Sequence, residues 1–302
     1  MNENFLVQKV IGLAACIFMM LAPNLYAQNN SDSGQSADEL AKELANPNAT
    51  LGTMAFPIDF VTYRGTLPDA NKQYSALVNF QPSLPVPIGK GVNLFIRPLI
   101  PIFLTQPVYG EPGFERKGIN LGNISADVAF GKTWPSKTIT ILGAFGGFPT
   151  ATDEALRTNE VTLGPELMVA QMWNWGVLGV MVNHAWGVGN NNNNESTGTD
   201  DFWILGNIPR HASVTAGQYF YVINLKNAWQ ITGQPTWSYN HNADKGSRLT
   251  LPIGTGVNKV THFGKLPVKL TAQYWYYIAS PETFGAQHQL RIQIAPVIPL
   301  PW

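Results

Sequence analysis

The sequence predicts an all-β protein, an antiparallel up-and-down transmembrane β-barrel of about 12 strands with a short N-terminal helix. Three observations carry that prediction. The first is the stretch QLRIQIAPVIPLPW, where Leu290, Ile292, Ile294, Pro296, Ile298, Leu300 and Trp302 alternate with Arg291, Gln293, Ala295, Val297, Pro299 and Pro301. One parity is almost wholly apolar and the other carries the charge and the amide, as in a strand lying between two different solvents. In water such a bare apolar strand is an aggregating edge. In lipid it suits the closing strand of a barrel.

The second observation is composition. The 302 residues are 45% hydrophobic and 11% aromatic, yet only 13% are charged, against about 25% in an average soluble domain. After the first thirty residues no apolar run reaches the roughly 18–20 residues a spanning helix needs. Apolar residues diluted by alternation fit a barrel instead. Lysine plus arginine and aspartate plus glutamate balance at 19 each, which excludes the strong basic field of a nucleic-acid binder. One cysteine, Cys16, excludes an internal disulfide framework and cysteine-rich zinc sites.

The third is the rhythm of the connections. Longer polar links at 65–72, 106–117, 150–159, 187–211, 241–246 and 280–286 alternate with tight ones at 85–91, 133–136, 174–175, 224–227 and 261–265. Short periplasmic turns and longer external loops produce that alternation, with both termini on the periplasmic side.

Taken in order, residues 1–27 read as a signal peptide: Lys9 ends a short basic region, 10–22 is apolar, and Pro23 and Asn24 precede a small residue at Ala27. The lipobox-like Leu13-Ala14-Ala15-Cys16 is set aside because the residues after it stay apolar. Residues 28–52 form a periplasmic segment, polar at first and then helical over 36–45. There Ser36 and Glu39 have capping-box spacing, Ala37, Leu40, Ala41 and Leu44 share a face, and Asn46-Pro47 stops the helix. A periplasmic foot and a plug in the barrel mouth both fit it. The barrel occupies 53–302, with strands expected at 53–63, 74–84, 92–104, 119–132, 137–149, 160–173, 176–186, 212–223, 228–240, 247–260, 266–279 and 287–302. The prolines at 82, 98, 101, 165, 235 and 252 count against a regular sheet, since each removes a ladder donor.

Parity then separates lumen from lipid. Over 228–240, Trp229, Ile231, Pro235, Trp237 and Tyr239 oppose Gln230, Thr232, Gln234, Thr236 and Ser238. Over 268–278, Val268, Leu270, Ala272, Tyr274, Tyr276 and Ile278 face out, leaving Lys269, Thr271, Gln273, Trp275 and Tyr277 facing in. The same rule sends Arg97, Asp127, Glu166, Arg248, Arg291 and Gln293 to the lumen. A charge on the lipid face near the midplane costs about 2–4 kcal/mol. Asn183 and His184 lie on opposite faces of a strand whose orientation parity alone does not fix.

Several segments carry a resemblance: 39–47 (ELAKELANP), 120–124 (NLGNI), 182–186 (VNHAW), 251–259 (LPIGTGVNK), 264–270 (GKLPVKL), 273–277 (QYWYY) and 290–293 (LRIQ). Together they resemble a family of Gram-negative outer-membrane barrels described as transporters of the meta-pathway of phenol degradation, whose relatives often carry the misleading label neuromedin U. The resemblance spans nearly all of the mature chain. It departs at His288, where an aromatic is expected, and at the asparagine-rich 190–194. It implies outer-membrane transport without naming a cargo.

The candidate sites are weighed on that basis. Five histidines, His184, His211, His241, His262 and His288, form neither H-E-x-x-H nor C-x-x-C, so no metal, cofactor or enzyme is expected. Arg97, Arg248, Lys269 and Arg291 with Asp127 and Glu166 fit either an anion-selecting constriction or a lumen-filling salt-bridge network. Trp275 and Tyr277 fit stacking on an aromatic solute or packing on a plug. The expectation is a porin-like outer-membrane channel for passive passage of small, aromatic or hydrophobic solutes. A non-conducting structural or adhesive barrel and a lipid-modifying enzyme are the alternatives. The expected partners are outer-membrane lipids, the barrel assembly machinery through Trp302 and a small-molecule solute, with no nucleic acid.

Overall fold

The computed structural model describes residues 36–188 and 212–301. The leader, the asparagine-rich tract and the terminal Trp302 of the sequence reading lie outside them. Among the described residues, a helix α1 (Ala37–Glu43) precedes twelve barrel strands. These are β1 (Gly52–Arg64), β2 (Tyr74–Gly89), β3 (Val92–Gly110), β4 (Ile124–Thr133), β5 (Thr138–Phe148) and β6 (Thr162–Trp173). They continue with β7 (Gly176–Gly187), β8 (Ser213–Asn224), β9 in two pieces (Trp229–Gly233 and Thr236–Asn240), β10 (Leu249–Phe263), β11 (Leu266–Ala279) and β12 (Gly285–Ile298). Each pairs antiparallel with its chain neighbours, and β1 pairs with β12 from Gly52↔Ile298 to Arg64↔Gly285, closing the sheet. Closure removes every free edge, which is what lets an apolar last strand exist without aggregating.

The strand count is as expected, but several bounds move. The expected link at 85–91 shrinks to Lys90-Gly91 because β2 and β3 run on to pair as far as Gly89↔Val92. At the other end β3 extends to Gly110 and folds back through Gly113–Lys117 as a hairpin that stands in place of an irregular loop. The strand expected at 119–132 breaks into Asn120–Leu121, which pairs with β3, and β4.

Alternation decides which side each residue takes. On β4, β5 and β6, Phe130, Leu142 and Leu167 lie side by side in register and are 56%, 62% and 51% exposed. Their neighbours Ala129 and Ile141 are fully buried on the inner face. A contiguous outer band of large apolar side chains is a liability in water and matches a hydrocarbon solvent. Tryptophans 134, 173, 175 and 229 are exposed at the short-turn end. There Lys132 Nζ lies 4.0 Å over the Trp134 ring and Lys259 Nζ 4.9 Å over Trp229, the aromatic and basic collar of a lipid interface.

Most of the prolines find their place at interruptions of the ladder. Pairing skips between Phe80↔Ile100 and Leu84↔Ile96, around Pro82 and Pro98. It skips between Leu163↔Trp186 and Glu166↔Asn183, at Pro165. The longest skip lies between Thr232↔Gly256 and Ser238↔Thr250, where Pro235 splits β9 opposite Pro252. A missing N–H costs nothing where no ladder bond is made.

The N-terminal segment lies across the short-turn mouth. Asp38 accepts from the backbone N–H of Ala228 (2.7 Å), and Gln230 donates to the Ala41 carbonyl (2.9 Å). Leu40 and Ala41 pack on Ala228 and Val260. Farther along, Asn48 donates to Thr133 Oγ1 (2.8 Å) and to the Gly91 carbonyl (3.2 Å), and Asn93 donates to the Asn48 carbonyl (2.9 Å). These anchors lie on β4 and the β2–β3 turn on one side, and on the β8–β10 region on the other. The segment is therefore a strap across the mouth. Gly131 faces it, and a Cβ there would collide with Asn48.

Candidate functional site: the barrel lumen

Above the strap lies a cavity of about 390 Å³. Its floor includes Leu44, Pro47 and Leu51 of the strap. At its long-loop end is an aromatic cluster in which Phe284 stacks on Tyr63 (4.5 Å) and meets Phe114 (4.7 Å), with Tyr277, Val61 and Ala70 packed alongside.

Two ion clusters line the cavity wall. In the first, Arg97 on β3 donates Nε to Asp127 Oδ1 on β4 and Nη2 to Glu166 Oε1 on β6, both at 2.6 Å. Arg97 and Asp127 are register partners. Arg97 reaches Glu166 across β4 and β5, and the β5 residue in register with Glu166 is Gly143. Glu166 is 1% exposed. One guanidinium is thus shared between two carboxylates.

The second cluster spans the closing seam. Asp59 on β1 takes two bonds from Arg291 on β12, Nε to Oδ1 at 2.6 Å and Nη2 to Oδ2 at 2.8 Å. Gln289 donates to Oδ1 (2.9 Å) and Asn79 to Oδ2 (3.2 Å), while Tyr277 donates to Gln289 (2.6 Å). The Arg291 guanidinium lies 4.4 Å over the Trp275 ring, whose Nε1 donates to Gln273 Oε1 (3.0 Å). A bidentate pair with every remaining lone pair engaged is the geometry in which buried charges hold together.

Arg97, Asp127, Glu166, Trp275, Tyr277, Arg291 and Gln293 therefore line one cavity. Gln273 is buried in its wall. Two expected lumen residues lie outside this cavity. Arg248 precedes β10 in the turn beyond the barrel, exposed, with Nε on the Ala243 carbonyl (2.8 Å). The parity that sent it inward fails because the strand begins one residue later. Lys269 faces in but lies toward the strap, in register with Val260 beneath α1 and outside the cavity lining.

The sequence reading passed over Asp59, Asn79 and Gln289 and left Asn183 open between two faces; all four line the cavity. The signal was present for Asp59, since Pro57, Asp59, Val61 and Tyr63 are buried against exposed Phe60 and Thr62. Asn183 faces in, so His184 faces out. His184 Nδ1 lies 2.8 Å from Thr215 Oγ1 and Nε2 3.4 Å from Ser213 Oγ, and Thr215 also reaches His241 Nε2 at 2.8 Å. Among the described residues no three histidines, cysteines or carboxylates gather as a metal site.

No family model matches the chain, and no curated protein matches it. Solved structures do. An outer membrane channel from Pseudomonas putida F1 superposes with a TM-score of 0.58 at 12% identity, over 82% of this chain and 94% of that one. The NanC porin gives 0.47 at 8% identity, over 81% and 100%. The transport unit of the autotransporter AIDA-I from Escherichia coli gives 0.44 at 14%, over 94% and 97%. The first of these likenesses establishes the kinship of fold: this chain is built as a closed antiparallel barrel of the kind found in an outer membrane channel.

Proposed function

We propose that the chain is an outer-membrane channel through which small solutes with aromatic or apolar bodies diffuse passively. The observation that carries the reading is a cavity of about 390 Å³ inside a closed barrel with an apolar exterior, lined by fixed ion pairs and aromatic side chains. That volume accommodates a small molecule. Charge held in place and an aromatic wall select by sign and shape. The strap and the aromatic cluster are the two ends a solute must pass. The fold shared with the Pseudomonas channel supports the reading, and the resemblance to the phenol-pathway barrels supports an aromatic solute. In this reading the short-turn end is periplasmic, residues 1–27 direct export, the apolar band meets outer-membrane lipid, and Trp302 presents the last strand to the assembly machinery.

Liposome swelling tests it, with neutral sugars, benzoate-like anions and phenol-like solutes of graded size and with protein-free vesicles as baseline. Swelling that depends on the solute and changes with Arg97→Ala or Arg291→Ala is expected. Swelling equal to the baseline for all solutes contradicts the channel.

A second reading, acyl-ester hydrolysis at the outer surface, rests on the Ser213–His184 approach. A serine needs a base oriented by a third group, and here that group is the Thr215 hydroxyl, a weak orienter compared with a carboxylate. Covalent labelling of Ser213 by a fluorophosphonate decides that reading.

A further inference from the structure

Buried polar atoms without a protein partner gather on one patch of the barrel wall. Asn258 on β10 and Thr271 on β11 are register partners; Gln273 follows opposite Gly256, and Lys269 precedes opposite Val260. Asn258, Thr271 and Gln273 are 1%, 5% and 2% exposed. Asn258 Oδ1, Thr271 Oγ1 and Gln273 Nε2 have no hydrogen-bond partner. Lys269 makes no ion pair or hydrogen bond among the described residues, whereas Arg97 and Arg291 in the same lumen are both fully paired. Native proteins leave few such groups, and a concentration of them calls for an explanation.

The chemistry of the patch is that of an anion site. Lys269, Thr271 and Gln273 alternate on one strand, so all three face inward at intervals of about 7 Å. An ammonium, a hydroxyl and an amide N–H are all donors. The Gln273 amide is oriented by its other end: Oε1 accepts from Trp275 Nε1 (3.0 Å) and from the Gln234 backbone N–H (3.2 Å), which leaves Nε2 free to donate. Asn258 offers a carbonyl to which Lys269 can give one proton while turning its others to a ligand. The strap supplies an apolar wall beside the patch. Leu40 and Ala41 pack on Val260, and Leu44 and Leu51 belong both to that packing and to the cavity lining.

We propose that this patch binds the carboxylate of a small amphipathic monocarboxylic acid. Lys269 supplies the charge, Thr271 and Gln273 the oriented donors, and the strap leucines receive the apolar body. The proposal rests on the channel reading for the acid's route of entry, but not for binding itself.

The test is calorimetric titration of the full mature chain in detergent with benzoate, benzyl alcohol and benzylamine. Benzoate is expected to bind at least about tenfold more tightly than the other two. Lys269→Met is expected to erase that preference and Lys269→Arg to keep it. Thr271→Val is expected to weaken benzoate several-fold and leave benzyl alcohol unchanged, and it carries the test if Lys269→Met does not fold. Equal binding of all three ligands means a patch satisfied by water alone and overturns the proposal, as does a benzoate preference that survives both Lys269→Met and Thr271→Val. Sugar swelling separates the two readings: swelling without a benzoate preference sinks the site alone, and a benzoate preference without swelling sinks the channel alone.

Discussion

Asp59 and Arg291 meet across the seam where the first and last barrel strands close, register partners joined by two hydrogen bonds of 2.6 and 2.8 Å. The contact joins residues 232 positions apart, so it forms only when the barrel closes. Asp59→Asn leaves a buried guanidinium without its counter-charge, which typically costs about 3–5 kcal/mol. The expected result is a large fall in the urea midpoint of the folded barrel in lipid. Asp59→Asn with Arg291→Met removes both charges and is expected to recover most of the loss.

The Arg97 cluster behaves differently because it holds two carboxylates. Arg97→Met forces Asp127 and Glu166 to face each other unneutralised and is expected to destabilise more than Asp127→Asn, which leaves the Arg97–Glu166 bond intact. In the channel reading, Asp127→Asn also moves ion selectivity toward anions, seen as a shift of reversal potential in a salt gradient.

Leu142 projects from the middle of β5 beside Phe130 and Leu167. Leu142→Lys is expected to destabilise the barrel in vesicles by about 2–4 kcal/mol, the cost of a cation near the bilayer midplane. In a water-exposed position the same change is nearly neutral. Refolding yield and unfolding midpoint in lipid decide between the two.

The strap is held at the β4 side by Asn48, through Thr133 Oγ1, the Gly91 carbonyl and Asn93. Asn48→Ala removes two donated bonds, each worth about 1 kcal/mol net, and leaves the α1 contacts with Ala228 and Gln230. Partial release of the strap is expected, seen as faster proteolysis near residue 48 with the barrel intact in heat-shift gels.

Most of the fold was legible because alternation is a local property. The inward set Thr271, Gln273, Trp275 and Tyr277 follows from parity alone, and the structure buries all four. Strand ends were less legible. Pro85 and Pro87 read as turn residues, yet both lie in β2 opposite Phe95 and Asn93, because tertiary pairing overrides a local signal. Arg248 was misplaced because the strand expected from residue 247 begins at Leu249, which leaves it in the turn, where alternation no longer assigns a side. The partners Asp59–Arg291 and Arg97–Glu166 join distant parts of the chain, and register between distant strands is not written in either strand by itself. The strap's position was open for the same reason: the helix was visible in 36–45, but the residues that receive it, Ala228, Gln230, Gly91 and Thr133, are far away in sequence.

The most direct test of the channel is planar-bilayer recording from the full mature chain, compared with a variant lacking residues 28–47. The account predicts discrete conductance steps for the intact chain and larger ones without the strap, with a reversal potential that Asp127→Asn shifts toward anion preference. Folded, heat-shifting barrels that conduct nothing with or without the strap would contradict it.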